Sequence, residues 1–496
     1  MGGIFVFMSE FERSKERMGG SKVVPVVETI AADLLTPLAV YLKLSKGQKH
    51  SFLLESVSGG ESLARYSFVG ADPHLTISGN DRETRIVDAG GERFEQASMM
   101  SFLRGHFAQY QTVNVEGLPS FIGGAIGYMG FGCSRWFEPS LKGLTPTADD
   151  AAFMFLRSVV AFDHARQEIK IITVVFPDEL TDSDPDIIFE AATRRNTEVR
   201  ECIENSSIDV PEVLECENSA LTSNFTQEDF ETAVRGIKEL IAAGECYQVV
   251  LSQCFEKKTN ADAISIYRAI RSLNPSPYMF LLDFDRKAVV GASPEMLVRC
   301  RDRELEYRPI AGTRPRGKSE TADAALAEEM RNDEKEVAEH VMLVDLGRND
   351  LGRVCEFGSV TVRDLMGVEK YSHVQHLVSS VTGNLRSGLD RFDALAACFP
   401  AGTVSGAPKV RAIDIIGDLE PTPRGIYAGA VGYFDYTGNM DTCIAIRTLV
   451  LENGVAKVQA GAGIVADSIP EMEFQETLNK ARAMFKAVET AGGGTR

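Results

Sequence analysis

Two sets of glutamates stand at helical spacing in segments far apart in the chain. In "NDEKEVAEHVMLVDLGRND" (332–350), Glu336 and Glu339 are three residues apart, which puts both on one helix face with His340 beside them. Val337, Ala338, Val341, Met342, Leu343, Val344 and Leu346 leave that helix almost no polar side, so it is expected to be buried. In "DSIPEMEFQETLNKARAMFKAV" (467–488), Glu473, Glu476 and Lys480 form a second stripe, with Ser468 and Glu471 as the expected capping box. Two solvated acidic faces, offset by Lys335 and Lys480, are the plain alternative. Buried carboxylates, however, are costly unless they are paired or bound to a metal. Hard oxygen donors contributed in ones and twos suit Mg²⁺, which keeps waters and shares itself with an anionic substrate. The expectation is a Mg²⁺ site between two helices, carrying an anion.

The anion needs donors, and three segments offer them. "YRPIAGTRPRG" (307–317) places three arginines around a small-residue turn. "FPAGTVSGAPKVRAIDII" (399–416) is a loop of small residues entering an apolar helix, where exposed backbone N–H groups bind carboxylate or phosphate. "VQAGAGIVADS" (458–468) reads as a strand whose glycines allow close approach of a ligand. None has the phosphate-loop spacing. "FIGGAIGYMGFG" (121–132) has the wrong glycine spacing for a dinucleotide loop and reads as a glycine-rich strand and turn.

The 496 residues carry a net charge of −19, which argues against nucleic acid or an anionic membrane as partner. Nine cysteines without a CxxC pair point to reduced thiols and a cytoplasmic setting. No run approaches the ~20 apolar residues of a membrane span. Residues 1–20 read as a flexible tail, 21–205 as an N-terminal domain, 206–224 as a polar linker, 225–490 as a second domain and 491–496 as a tail. In the first domain short β-type runs dominate, with helices expected near 27–43, 97–110 and 184–204. Thr226 and Asp229 mark a helix start, and Gly244 its end. Strands and helices without strict alternation give an α+β fold with antiparallel sheet.

The motifs "GECYQVVLSQ" (244–253), "NPSPYMF" (274–280), "GASPEMLVR" (291–299), "YSHVQHLVS" (371–379), "GIYAGAVGYF" (425–434) and "DTCIAIRT" (441–448) join those above. Together with "FLLESVSGGESLARYSFVG" (52–70), they resemble the chorismate-binding enzymes, specifically the anthranilate synthase component I branch, over about 22–488. That resemblance implies large antiparallel β-sheets forming a sandwich with helices outside, and the active site in a cleft. It implies Mg²⁺-dependent attack of ammonia on C2 of chorismate, loss of the C4 hydroxyl and elimination of pyruvate. By the same resemblance Glu339 and Glu476 are direct Mg²⁺ ligands, with Glu336 and Glu473 as partners. Substrate contacts fall on Thr403, Tyr427, Arg447, Gly461, Gly463 and Lys480. Glu295 is the general acid for the departing hydroxyl, a role that needs a raised pKa. His376 takes the C2 proton, and His373 is left to structure.

Isochorismate and salicylate synthases resemble this pattern with a water-activating lysine where this chain has Gln248. Aminodeoxychorismate synthases have a nucleophilic lysine where it has Ala311. Both differences favour direct amination. The ammonia is expected from a separate glutaminase subunit, in a heterotetramer of two large and two small subunits. Leu54, Glu55, Ser56, Pro277, Tyr278, Met279, Val431, Tyr433 and Cys443 match the family's feedback pocket for tryptophan. Outside catalysis, the rival reading is an inactive tryptophan-sensing partner of a glutaminase. Such a chain should have lost some of Glu339, Glu476, His376, Arg447 and Lys480, yet all are present.

Overall fold

The computed structural model describes residues 22–56, 65–112, 117–145, 147, 149–182, 184–209, 219–370 and 374–493. The expected N-terminal tail, residues 210–218 of the expected linker, residues 494–496 and His373 lie outside these residues. Two large sheets of 13 and 12 strands form the frame, and the neighbours along both are antiparallel except for Lys22–Ala31 with Gln111–Thr112. Both halves of the chain build both sheets. In the larger sheet the strand Tyr278–Phe284 pairs with His50–Glu55, Met279 opposite Glu55 and Leu281 opposite Leu53. In the smaller one Ala430–Asp435 pairs with Gly124–Met129, Val431 opposite Tyr128. The linker therefore divides the sequence without dividing the core.

Strand alternation explains the layers. Phe52 and Phe280 point between the sheets and meet Phe121, Tyr433 and Met154 in one buried cluster. Leu53 and Leu281 point the other way, onto helices Pro37–Leu44, Ala263–Leu273 and Pro470–Ala491. The smaller sheet is covered on its outer side by helices that include Met99–Gln109 and Arg391–Cys398, whereas Gln227–Ala242 packs on strands Gln248–Lys258 and Val455–Ile464 of the larger one. No described helix is long and apolar enough to cross a membrane. The eight described cysteines are all free.

Three local expectations are corrected. The expected helix near 27–43 is a strand, Lys22–Ala31, followed by a helix only at Pro37–Leu44. Val23, Val24, Val26, Val27 and Ile30 favour the pleat, and Pro37 supplies the real helix start behind Thr36. Ser468 does not cap the second acidic helix. Pro470 sets its first turn behind Ile469, and the Ser468 hydroxyl accepts from Val465 N–H instead. The first acidic helix, Glu334–Gly352, is not buried all round. It buries His340, Leu343, Val344, Gly347 and Leu351 but leaves Val341 at 42% exposure. Its glutamates are not in the core: Glu336 is half-buried and Glu339 exposed. The remaining boundaries agree closely: Met99–Gln109, Pro185–Asn205, and a helix capped by Thr226 accepting from Asp229 N–H.

Phe52→Ala removes a fully buried ring at the junction of the two halves, and should cost about 3–5 kcal/mol of stability. A denaturant midpoint equal to that of the unmodified chain would remove this junction from the core.

Candidate active site

The site forms where the chain crosses between the sheets. Strand Lys287–Ser293 belongs to the larger sheet and Met296–Arg301 to the smaller, and Glu295 lies in the step between them. Strand Met440–Ile444 of the smaller sheet passes to Thr448–Glu452 of the larger, and Arg447 lies in that second step. The two steps bond to each other: Ser293 Oγ donates to Ile444 O at 2.7 Å, and Ile444 N–H donates to Glu295 O at 3.0 Å. Arg447 has φ +50, a left-handed conformation uncommon outside glycine.

Glu295 is 6% exposed, and burial pushes its carboxyl up to about 8. The Thr403 hydroxyl opposes that rise without completing a regular hydrogen bond, so Glu295 Oε1 and Thr403 Oγ1 are both buried and unpartnered. The acid is therefore protonated at neutral pH. His376 lies on Val374–Asn384, opposite Thr313. Its Nδ1 donates to Gly312 O at 2.9 Å, which leaves the lone pair on Nε2. Burial, with the Arg447 charge adding to it, holds this imidazole below 6.5 and hence neutral.

The remaining expected contacts are tied to one another. A Cβ on Gly463 would lie 2.6 Å from Gln248 Nε2, so the Gln248 amide covers that glycine. A Cβ on Gly461 would lie 2.8 Å from the Tyr427 hydroxyl. Lys480 Nζ donates to Gly461 O at 2.8 Å and pairs with Glu476 at 2.6 Å. Arg447 opens onto a cleft of about 620 Å³, lined also by Lys335, Glu473, Glu476 and Lys480. Among the described residues its guanidinium makes no ion pair or hydrogen bond, which fits it to an arriving carboxylate.

The glutamates of the two helices are close enough to repel. Burial raises the Glu339 carboxyl, and Glu336 and Glu476 raise it further. Glu473 is raised by burial, with Glu476 adding to it. Glu336 is held by Arg314 at 3.0 Å, whereas Glu339 has no such partner among the described residues. Nor do any three His, Cys, Asp or Glu groups among those residues already form a tight metal cluster. Mutually repelling oxygen donors on facing helices nevertheless suit a hard divalent cation completed by substrate and water. The arginines of 307–317 do not serve as anion donors. Arg308 is paired with Glu369, Arg314 with Glu329, Asp333 and Glu336, and Arg316 with Asp323.

The sequence pattern described as chorismate binding enzyme matches residues 49–486. The chain belongs to this family. A relative from Pseudomonas aeruginosa named anthranilate synthase component 1 is 46% identical over 484 residues, 95% of this chain and 96% of that one. One of the same name from Acetivibrio thermocellus is 43% identical, covering 95% and 96%. The crystal structure of anthranilate synthase component I from Streptococcus pneumoniae superposes with a TM-score of 0.75 at 37% identity, covering 92% of this chain and 99% of that one. A menaquinone-specific isochorismate synthase from Escherichia coli, at 21% identity and TM-score 0.69, shares the fold. The chain is thus a chorismate-utilising enzyme of the α+β sandwich type.

All nine residues matched to the family's tryptophan pocket line one cavity of about 70 Å³, with Arg65, Ser120 and Asp441. The Glu55 carboxylate there is held by Tyr267 at 2.5 Å and Arg271 at 3.0 Å. Ser56 Oγ is buried and unpartnered. Sequence reading passed over Ser293, which ties Glu295 to the Arg447 step. Its only signal is a serine two places before an acid at the end of an apolar strand.

Histidine-selective NMR should show one imidazole, lost in His376→Gln, titrating below 6.5. A His376 titration at or above that value would contradict the neutral base.

Proposed function

We propose that the chain is the chorismate-aminating large component of an anthranilate synthase. The observation that carries this reading is a protonated carboxyl, Glu295, in the step bonded to that of Arg447, and a neutral imidazole, His376, within reach of the Arg447 charge, with Gln248 and Ala311 offering no protein nucleophile. Relatives named anthranilate synthase component 1, at 42–46% identity, support it.

The fork of Arg447 binds the enolpyruvyl carboxylate, and backbone N–H groups at Gly461 and Gly463 reach the same ligand. Glu339 and Glu476, with Glu336 and Glu473 behind them, would hold Mg²⁺, which when bound neutralises the ring carboxylate. Thr403 and Tyr427 line the ring, and Lys480, paired with Glu476, contacts the substrate. Ammonia adds to C2 while Glu295 gives its proton to the C4 oxygen, which leaves as water. The added ammonium returns a proton to Glu295; His376 then takes the proton at C2 as the C3–O bond breaks, and the enolpyruvyl methylene gains a proton so that the group departs as pyruvate. Chorismate and ammonia thus become anthranilate, pyruvate and water. A separate glutaminase component supplies the ammonia, and tryptophan occupies the cavity between Leu54–Ser56 and Pro277–Met279 as inhibitor. Inhibition requires that tryptophan favour the state with poorer chorismate affinity.

The purified chain with chorismate, Mg²⁺ and ammonium should produce anthranilate fluorescence, suppressed by tryptophan. Chorismate consumed without anthranilate would reject the reading in favour of another member of the family. At a fixed concentration of unprotonated ammonia the rate should fall above pH about 8, because Glu295 is the acid and its protonated form is lost there. Glu295→Gln should lower kcat by about 10²–10⁴ and erase that alkaline limb. An alkaline limb that survives the substitution assigns the acid elsewhere.

Glu476→Ala should abolish magnesium-dependent turnover and weaken divalent-metal binding in calorimetry, with an unchanged far-UV circular dichroism spectrum. Full metal affinity in this variant would sink the two-helix site. Ser56→Phe should fill the cavity and remove tryptophan sensitivity while turnover persists. Equal sensitivity in variant and parent rejects the pocket.

A further inference from the structure

Beneath Tyr427 and Thr403 lies a buried ion pair. Arg424 and Glu420 have side-chain exposures of 1% and 3%, with their charges 2.7 Å apart. Arg424 Nε donates to Glu420 Oε2 at 2.9 Å and Nη2 to Glu420 Oε1 at 2.7 Å. The other donors go to backbone: Nη1 to Val404 O and Nη2 to Val250 O, both at 2.7 Å. Glu420 Oε1 also accepts from Ser252 N–H at 2.8 Å and from Ser252 Oγ at 2.7 Å. The guanidinium lies 4.5 Å from the Phe131 ring centre and 5.5 Å from that of Tyr427.

These partners are not a random sample of the fold. Val404 adjoins Thr403 in the turn Gly402–Val404. Val250 lies two residues after Gln248 on strand Gln248–Lys258. Tyr427 reaches across Gly461, and its N–H donates to Arg424 O at 3.2 Å. Phe131 comes from the N-terminal half, and its N–H donates to Gly425 O at 2.8 Å. One rigid planar fork thus fixes the distances among the Thr403 turn, the Gln248 strand and the Tyr427 ring.

We infer that Arg424, locked by Glu420, is the positioning residue that holds Thr403 and Tyr427 at the spacing chorismate requires. A buried ion pair adds little net stability, because desolvation offsets much of the attraction, so its contribution here is geometric. Lysine cannot replace it, since a point ammonium lacks the fork that reaches two carbonyls and a carboxylate together. The inference rests on the proposed contact of Tyr427 and Thr403 with substrate.

The test is a double-mutant cycle of Arg424→Lys with Tyr427→Phe, read as KM for chorismate and kcat with ammonia as nitrogen source. Arg424→Lys should raise KM about tenfold, and most of the Tyr427→Phe penalty should vanish in its background, because the hydroxyl is already displaced. A lower kcat at unchanged KM, with an undiminished Tyr427→Phe penalty, marks a merely structural residue and overturns the inference. A silent Tyr427→Phe in the parent enzyme overturns the substrate contact itself, and the inference with it. If Arg424→Lys fails to fold, Glu420→Gln takes its place. It keeps the side-chain shape and releases the lock, and in the same cycle a raised KM with a lost Tyr427→Phe penalty supports the inference, while an unchanged KM with the full penalty overturns it.

Discussion

The structure depends on two strand pairs, His50–Glu55 with Tyr278–Phe284 and Ala430–Asp435 with Gly124–Met129. Each joins residues more than 200 positions apart, and each lies mid-sheet, where unpaired backbone groups would be buried. Once these pairs form, both sheets run unbroken through both halves. The C-terminal strands must then pass from sheet to sheet beside the junction, and their crossings carry Glu295 and Arg447. The cavity bounded by Leu54, Met279, Val431 and Tyr433 sits at the same junction, between the sheets. A ligand there touches both halves at once, because its walls come from both.

Charge is organised against the overall balance. The chain carries a net −19, and its most conspicuous arginine cluster is spent on carboxylates of its own helices and of strand Thr361–Lys370. Glu339, Glu473 and Glu476 would repel an arriving carboxylate. Arg447 and Lys480 answer only part of that field, and Lys480 is itself engaged by Glu476. A hard divalent cation reverses the sign locally, turning mutual repulsion into a ligand set.

Much of this is legible in the sequence. Spacing alone puts Glu336 with Glu339 and Glu473 with Glu476 on helix faces. Thr226 and Gly244 bound a helix correctly because caps are local chemistry. What fails is burial. The apolar run Val341–Val344 suggests a core helix, but periodicity does not say that a cleft opens along one side. "VETIA" (27–31) reads as the start of a helix because its strand partner, Glu168–Val175, lies well over a hundred residues away. The arginines of 307–317 look available because their carboxylate partners are supplied by tertiary structure. Ser293, Glu420 and Arg424 are invisible for a related reason: their work is to join segments, and no single segment records it.

The crossings show why reactive groups and strand ends coincide. Within a sheet each residue points to one packed layer or the other, and a polar side chain there must be fully satisfied. In the step from Ser293 to Met296 the backbone has left one ladder and not yet joined the next. Its N–H and C=O groups are met instead by the neighbouring crossing, through Ser293 Oγ and Ile444. That cross-bond frees Glu295 from any structural duty. Its carboxyl can then be buried without an ionic partner, which is what keeps its proton in place at neutral pH. A salt bridge at the same position would stabilise the carboxylate and destroy the acid. The unpartnered state of Glu295 is therefore the condition for the proton donation proposed for it, and the two linked crossings are what make that state tolerable.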